Sequence, residues 1–214
     1  MSTDYKRQNN RSEHSAKEGI VIINYGAGNI QSIKFAFERL GHKALLSDDA
    51  EEIAAADKVI FPGVGEASSA MRKLRASGLD TLIPNLKQPV LGICLGMQLM
   101  CHSSEEGDTP GLGIFDVDVV RFVPKSDAGD VKIPQIGWNR LEHLRSDLFR
   151  GLQEEHAYLV HSYYAPQCAE TIATCTYGLT YSAALHKDNF YGTQFHPEKS
   201  GDYGAAILTN FMSL

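Results

Sequence analysis

The sequence predicts an α/β fold with a mainly parallel central sheet flanked by helices and an added antiparallel or mixed strand region. In the first half of the chain, short β-branched runs alternate with helical patterns, as in parallel sheets covered by helices. In the second half, strand-like segments follow one another with short turns between them. The chain has 214 residues, 43% of them hydrophobic, which is enough for one globular core.

The first half contains four predicted strands and the helices between them. The strands are predicted at residues 19–24, 44–46, 58–61 and 89–93. The first helix is predicted from the helical spacing of Ile30, Ile33, Phe37 and Leu40. Gly41 suits the C-terminal end of that helix, a second helix should stop near Gly78, and a third should follow Cys94.

The second half is predicted to be strand-rich. Its strands are expected at residues 114–122, 135–141, 157–161, 171–177, 181–186 and 190–195. A helix over residues 203–212 closes the chain. Because no repeat or linker interrupts the pattern, we expect a single domain over residues 18–214, preceded by a flexible polar tail at residues 1–17.

Composition excludes several classes of protein. The net charge of −6 argues against a nucleic-acid-binding protein, which usually presents a basic face. No apolar run approaches the roughly 20 residues that span a bilayer, and the first residues lack the apolar stretch of a secretory signal. The four cysteines form no CxxC pair, which favours free thiols in a reducing cytoplasm. Outside the turn described next, Cys101, Cys168 and Cys175 are interpreted as structural.

The segment Gly92-Ile93-Cys94-Leu95-Gly96 lies where a predicted strand meets a predicted helix. A nucleophile on such a tight turn has strained backbone geometry, and small residues two positions before and after it let the chain reverse. The N-terminus of the following helix would favour the thiolate of Cys94. The alternative is a buried structural cysteine, since free cysteine is among the most buried residue types.

The segment His196-Pro197-Glu198 supplies a base and a carboxylate. Proline favours extended geometry in the residue before it, and residues two apart in an extended segment face the same way. The carboxylate of Glu198 could then fix the tautomer of His196, which would accept the proton of Cys94. Cys94, His196 and Glu198 together follow the order nucleophile, base and orienting group of acyl transfer.

Three other interpretations compete with this one. A metal site would need a third ligand near His196 and Glu198, and the sequence offers none nearby, so no metal or cofactor is expected. A dinucleotide-binding fingerprint at Gly26-x-Gly28 with Asp48 lacks its third glycine, which Gln31 replaces. A non-catalytic binding module on the same fold would leave the complete set of three residues unexplained.

Neither motif fixes the substrate, but a wider set of segments resembles a known family. From Gly19 to its C-terminus the chain resembles the class I glutamine amidotransferases, and most closely the glutaminase subunits of imidazole glycerol phosphate synthase. The cysteine turn and His-Pro-Glu are shared across the family. The narrower resemblance rests on Pro62-Gly63-Val64-Gly65, Gly137-Trp138-Asn139 and Glu198-Lys199-Ser200.

This resemblance implies roles for individual residues. Cys94 would attack the side-chain amide of L-glutamine, with His196 and Glu198 completing the triad, and a glutamyl thioester would be hydrolysed to glutamate. Backbone N–H groups of Val64 and Leu95 would stabilise the oxyanion, each contributing on the order of 3 kcal/mol. The residues implied in binding glutamine are Gly63, Gln98, Glu106, His161, Ser162 and Tyr163.

The resemblance also implies a partner. Ammonia would pass to a cyclase subunit of (β/α)₈ barrel type, which uses it in histidine biosynthesis. A glutaminase of anthranilate, aminodeoxychorismate or pyridoxal phosphate synthesis is the alternative, and the Pro-Gly-Val-Gly and Gly-Trp-Asn segments argue against it. Gln135 and Leu159 depart from the residues common in the family at these positions, histidine and phenylalanine. Neither departure touches the triad.

Two further hypotheses concern the partner. The glycines flanking Val64 would let its peptide rotate at low cost, so its N–H could point away at rest and turn in when the partner is loaded. Trp138, the single tryptophan, is interpreted either as a docking anchor or as a core residue.

Overall fold

A computed structural model describes residues 19–26, 30–123, 125–126 and 129–214 of the chain. The flexible tail expected at residues 1–17 lies outside the described residues. Two positions of the turn that follows the first predicted strand, residues 27 and 28, also lie outside them. Among the described residues, no helix is both long enough and apolar enough to cross a membrane.

Six α-helices occur in the described part of the chain. In chain order they are α1 (Ile30–Arg39), α2 (Ala50–Ala55), α3 (Ala67–Ser77), α4 (Leu79–Leu82), α5 (Leu95–Met100) and α6 (Gly201–Met212). Short 3-10 helices lie at Ile83–Asn85, Asp147–Phe149 and Pro197–Lys199. The three helices predicted in the first half of the chain correspond to α1, α3 and α5, and the closing helix to α6.

The same residues contain fifteen strands. The first six are β1 (Ile20–Ile23), β2 (Ala44–Ser47), β3 (Lys58–Gly63), β4 (Val90–Cys94), β5 (Cys101–Ser104) and β6 (Thr109–Pro110). The next five are β7 (Phe115–Arg121), β8 (Lys125–Ser126), β9 (Gly129–Asp130), β10 (Gln135–Glu142) and β11 (His156–His161). The last four are β12 (Tyr163–Tyr164), β13 (Thr171–Tyr177), β14 (Leu179–Lys187) and β15 (Phe190–Thr193).

Nine strands form the central sheet, in the order β11-β10-β13-β14-β15-β4-β3-β1-β2. The five strands from β15 to β2 are parallel, and the four from β11 to β14 pair antiparallel. The predicted combination of a parallel sheet with an added antiparallel region is therefore confirmed. The carboxyl ends of β15, β4, β3 and β1 meet at one edge, where ligands usually bind in such sheets.

One predicted strand does not join the central sheet. The segment expected at residues 114–122 becomes β7, which belongs to a separate four-stranded sheet of order β12-β7-β5-β6. The expectation that it joins the strand region added to the parallel sheet was wrong, because its partners are the short strands β5 and β12, which local pattern does not identify. The strand expected at residues 190–195 also ends earlier, at Thr193.

Hydrophobic side chains fill both faces of the parallel region. Because successive side chains of a strand point to opposite faces, Ile20 and Ile22 of β1 enter one core cluster, while Val21 and Ile23 enter the other. Helices α1 and α6 cover the first face, and α3 and α5 cover the second. The β-branched run at the start of the domain is therefore buried on both sides, as predicted.

Helix α2 was missed by the sequence analysis. It has only six residues, too few to show helical periodicity. Its start is nevertheless encoded locally, because the Asp49 carboxylate accepts hydrogen bonds from the backbone N–H groups of Glu51 and Glu52. A capping side chain of this kind contributes about 1 kcal/mol to helix stability. Asp49 followed three residues later by Glu52 is a sequence pattern typical of a helix N-terminus.

Candidate active site

Cys94 occupies a sharp turn between β4 and α5. It is the last residue of β4 and the N-cap of α5, with φ 55° and ψ −111°, which is an uncommon conformation for a residue with a side chain. Such a conformation costs about 1–3 kcal/mol. Burial of the apolar side chains of α5 offsets this, since each contributes about 1.5–3 kcal/mol. The strained turn predicted for the cysteine is present.

Two glycines make this turn sterically feasible. A Cβ at Gly96 would lie 2.0 Å from the carbonyl oxygen of Phe61, and a Cβ at Gly92 would lie 2.3 Å from Cε of Met100. Neither position therefore tolerates a side chain without movement of β3 or α5. The spacing of small residues around Cys94 reflects this close approach of the helix to the sheet.

The sulfur of Cys94 faces polar groups from two other segments. The Gln194 amide donates to the sulfur over 3.8 Å, and the thiol lies 3.9 Å from the carbonyl oxygen of Val160. Both distances are within the range of sulfur contacts. Cys94 itself is buried, so its sulfur meets a ligand only through the cavity described below.

His196 and Glu198 form a buried pair. The Nδ1 atom of His196 lies 2.8 Å from Oε1 of Glu198, and the two side chains are 4% and 1% exposed. The backbone N–H of His196 donates to the carbonyl of Tyr158 over 2.9 Å, which ties the segment to β11. The expected contact is therefore present, although the reasoning behind it was partly wrong. His196 is extended, but Glu198 lies in the 3-10 helix Pro197–Lys199, which brings its carboxylate back toward the ring.

Opposing effects act on the pKa of His196. Burial lowers it, but hydrogen bonds to Cys94 and Glu198, together with the negative charge of these groups, raise it to about 10. The hydrogen bonds and negative charges outweigh burial, so His196 is favoured as an imidazolium between the sulfur and the carboxylate. Such an arrangement can accept a proton from a thiol and hold it for a leaving group.

A cavity of about 300 Å³ opens at this edge of the sheet. It is lined by Val64, Gly65, Cys94, Leu95, Gln98, Glu106, Pro134, Val160, His161, Ser162, Tyr163 and His196. Most of the residues named from the sequence are thus brought together. Two do not line the cavity: Glu198 lies behind His196, and Gly63 pairs with Cys94 in the sheet, where a Cβ would lie 2.5 Å from the Gly96 nitrogen.

Three lining residues were not named as site residues. Gly65 follows Val64, while Pro134 precedes β10 and Val160 belongs to β11. The last two reach the cavity because β10 and β11 pair antiparallel at the edge of the sheet. That pairing is a long-range property, so no local pattern identified them.

Gln98 and His161 are already hydrogen-bonded within the protein. The Nε2 amide of Gln98 donates to the carbonyl of Tyr163 over 2.9 Å and to Oε1 of Gln194 over 2.8 Å. The Nδ1 of His161 lies 2.7 Å from the same carbonyl and must donate to it, because a carbonyl oxygen only accepts. Burial lowers the pKa of His161 to about 4, so its ring is neutral near pH 7. Both side chains hold the backbone at Tyr163 in place.

Glu106 is the carboxylate that lines the cavity. Its Oε2 atom accepts a hydrogen bond of 2.8 Å from the backbone N–H of Ala67, the first residue of α3. Burial raises the pKa of Glu106, and the nearby charge of Glu66 raises it further. The hydrogen bond from Ala67 lowers this pKa. Among the described residues, no group of three or more His, Cys, Asp or Glu side chains could hold a metal ion.

Comparison with known proteins identifies what the chain resembles. A family model described as glutamine amidotransferase class-I matches residues 21–214. The imidazole glycerol phosphate synthase subunit HisH of Bacteroides fragilis is 55% identical over 196 residues, covering 91% of this chain and 99% of that protein. The protein of the same name from Haemophilus influenzae is 48% identical over 195 residues, covering 90% of this chain and 96% of that protein.

Solved structures with low sequence identity share the fold. A putative GMP synthase protein from Thermoplasma acidophilum has a TM-score of 0.72 at 21% identity, with 94% of both chains covered. A structure described as a glutamine amidotransferase has a TM-score of 0.70 at 19% identity, with 91% of this chain and 98% of that chain covered. At these identities the likeness concerns the fold alone.

The raised pKa of His196 predicts a pH-dependent contribution to stability. This pKa is about 10 in the folded chain against an ordinary value of 6.5. Protonation therefore stabilises the fold fully below about pH 6.5, and this contribution is lost as the pH rises to about 10. Glu198→Gln removes one charge that raises the pKa. The difference in unfolding free energy between wild type and this variant, measured by urea unfolding, should shrink between about pH 6 and pH 10.

A matched control is Glu155→Gln. Its carboxylate lies 2.9 Å from the ring of His156, but both side chains are more than half exposed. Solvent screens such a pair, so its removal should change the unfolding free energy little at any pH. A Glu198→Gln difference that stayed constant from about pH 6 to pH 10 would contradict the proposed charge pairing.

Proposed function

The chain belongs to the class I glutamine amidotransferases, and on that premise we propose that it is the glutaminase subunit of an imidazole glycerol phosphate synthase. It releases ammonia from L-glutamine for a cyclase partner. The observation that carries this proposal is the buried His196–Glu198 pair beside Cys94, at a cavity with room for one amino acid. The name shared by the relatives described above supports the choice of acceptor.

The reaction begins with Cys94. The thiol proton first passes to His196, and the sulfur then attacks the side-chain carbonyl carbon of glutamine, whose π electrons move onto oxygen. Collapse of this tetrahedral intermediate breaks the C–N bond, and His196 gives its proton to the departing ammonia. A water molecule then attacks the glutamyl thioester, with His196 as base, and releases glutamate and the thiol. Glu198 stabilises the imidazolium in each step.

Backbone N–H groups stabilise the negative oxygen of the intermediate. Leu95 is the first residue of α5, so its N–H is one of those that have no partner within the helix. Val64 follows Gly63, which pairs with Cys94, and its N–H is the second donor. Each donor contributes on the order of 3 kcal/mol to the transition state. The Val64 peptide turns toward the oxygen when the partner is loaded.

The substrate fits the charges of the cavity. We assign Glu106 to the α-ammonium group of glutamine, because a carboxylate is the natural partner of that cation. Gln98, His161, Ser162 and Tyr163 shape the part of the cavity beside Cys94. The hydrogen bonds of Gln98 and His161 to the Tyr163 carbonyl support a positioning role for both. Gly63 contributes by letting α5 approach, because it has no side chain.

An apolar strand face next to the cavity supports a docking partner. Ile136 and Trp138 of β10 are 60% and 54% exposed, and they lie opposite Val160 and Tyr158 of β11. This exposure favours the docking interpretation of Trp138 over the core one. Because Val160 also lines the cavity, a subunit that covers the apolar strand face would cover the mouth of the site. We propose that the cyclase, of (β/α)₈ barrel type, binds there and receives ammonia directly.

We propose that the protein acts in a reducing compartment. The four cysteines are all free thiols. Cys94 must stay reduced to act as a nucleophile, and a cytoplasmic location would keep it so.

Replacement of the nucleophile gives the first prediction. Cys94→Ala should lower glutamine hydrolysis by at least about a thousandfold, because no other thiol lines the cavity. It should still bind the cyclase and leave ammonia-dependent cyclisation intact. A coupled assay with either glutamine or ammonium as nitrogen source measures both. Cys168→Ser, at a half-buried cysteine outside the cavity, is the control and should keep both activities.

Activation by the partner gives the second prediction. Hydrolysis of glutamine should be slow for the chain alone and faster with the cyclase and its acceptor ligand, because the Val64 N–H then completes the oxyanion site. Ammonia release is measured for the chain alone, with cyclase, and with cyclase plus acceptor. Equal rates in all three conditions would contradict the rotation of the Val64 peptide.

Docking on the apolar strand face gives the third prediction. Trp138→Ala should raise the dissociation constant of the complex by about 30-fold or more, as expected for a central aromatic residue. Titration calorimetry with the cyclase measures it. Leu45→Ala is the control, since Leu45 is 50% exposed on β2, at the opposite edge of the sheet. Equal binding of wild type and the Trp138 variant would place the partner elsewhere.

A further inference from the structure

A short loop separates two cavities. Val64 and Gly65 line the active-site cavity and also a second cavity of about 180 Å³, whose other walls are Tyr25, Gly26, Glu66, Ser69, Ala70 and Lys73. Val64 and Gly65 therefore separate the two cavities. We call residues 63–66 the oxyanion loop, because it carries the Val64 N–H.

The two ends of the oxyanion loop are fixed by side chains from distant segments. Before the loop, the carbonyl of Pro62 accepts a buried hydrogen bond of 2.8 Å from the hydroxyl of Tyr25. After the loop, the N–H of Ala67 donates to Oε2 of Glu106 over 2.8 Å. These contacts join the loop to the segment after β1 and to the chain after β5.

Between these fixed ends, the middle of the loop, at Val64 and Gly65, is loosely packed. Val64 is 39% exposed, and Gly65 has φ 93°, a conformation that glycine adopts readily. A Cβ added at Gly65 would meet no atom within 4 Å. Gly63 is held by its pairing with Cys94 and its contact with the Gly96 nitrogen, so the orientation of Val64 and Gly65 depends on how the two ends of the loop are held.

Tyr25 is built into the fold as an anchor. It follows β1 at the carboxyl edge of the sheet, is 7% exposed, and its ring lies 5.7 Å from that of Phe61. Burial raises the pKa of its hydroxyl well above the ordinary value, and nearby Cys94 adds to this. The hydroxyl therefore keeps its proton and remains a donor at every working pH. Pro62 lies beside Ile93 in the sheet, one position before the pair Gly63–Cys94.

We propose that Tyr25 is a positioning residue of the oxyanion loop. The hydrogen bond from its hydroxyl to the Pro62 carbonyl sets the position from which the Val64 N–H reaches the oxyanion. This proposal rests on the proposed glutaminase function. Tyr25 does not line the active-site cavity, so it acts through the loop and not on glutamine. If Tyr25 were only a core residue, its hydroxyl would affect stability and leave catalysis unchanged.

The test removes only the hydroxyl, in Tyr25→Phe, and uses the complex with the cyclase and its acceptor ligand. The kcat for glutamine should fall by about 10- to 100-fold, while KM stays within about twofold, because a displaced donor weakens the transition state more than the ground state. Alkylation of Cys94 by iodoacetamide forms no oxyanion, so its rate should be unchanged. A chloroketone analogue of glutamine, which does form one, should react more slowly.

The matched control is Tyr203→Phe. The hydroxyl of Tyr203 is buried, yet it has no hydrogen-bond partner among the described residues. Its removal should leave kcat, KM and both alkylation rates unchanged. All variants are assayed at a temperature at which circular dichroism matches that of the wild type, so loss of fold is not mistaken for loss of positioning.

Two outcomes would overturn the proposal. An unchanged kcat in Tyr25→Phe would show that the hydroxyl does not position the loop. A parallel fall in kcat and in iodoacetamide alkylation would show a general disturbance of Cys94 instead. Failure of the proposed function is distinguishable from both, because the wild-type complex itself would then release no ammonia from glutamine.

Discussion

The close approach of helix α5 to strand β3 is the constraint on which the site is built. Gly96 lies against the carbonyl of Phe61 and Gly63 against the Gly96 nitrogen, so that a Cβ at either position would overlap backbone atoms. With the helix held this close, the chain must reverse direction at Cys94 within one residue, which forces its positive φ. The same packing sets the oxyanion loop beside the sulfur, because Gly63 pairs with Cys94 in the parallel sheet.

Charged partners, rather than burial, distinguish the two buried histidines of the site. His161 and His196 are both almost inaccessible, and burial lowers the pKa of each. Among the described residues, His161 hydrogen-bonds to the Tyr163 carbonyl and the Tyr181 hydroxyl, and burial, together with the charge of His196, lowers its pKa to about 4. His196 lies between Cys94 and the Glu198 carboxylate, which raise its pKa to about 10. One ring therefore stays neutral and supports the backbone, while the other can carry a proton.

Local patterns were enough to predict the strained turn at Cys94 and the contact between His196 and Glu198, because both lie in short segments that contain glycine or proline. The alternation of strands and helices likewise predicted the parallel sheet. Long-range features were not predictable in this way. Val160 and Pro134 reach the cavity only through the pairing of β10 with β11, and β7 finds its partners in strands of two to four residues. The Tyr25–Pro62 bond joins residues 37 positions apart.

Every role proposed for the site follows from one step, in which the sulfur of Cys94 attacks the side-chain carbonyl of glutamine and becomes acylated. The decisive experiment is mass spectrometry of the chain in complex with the cyclase, after rapid acid quenching during turnover of isotopically labelled glutamine. We expect one labelled glutamyl group on the peptide that contains Cys94, released by hydroxylamine as is usual for a thioester. Turnover with no acylated intermediate, or with the label on another residue, would contradict covalent catalysis by Cys94.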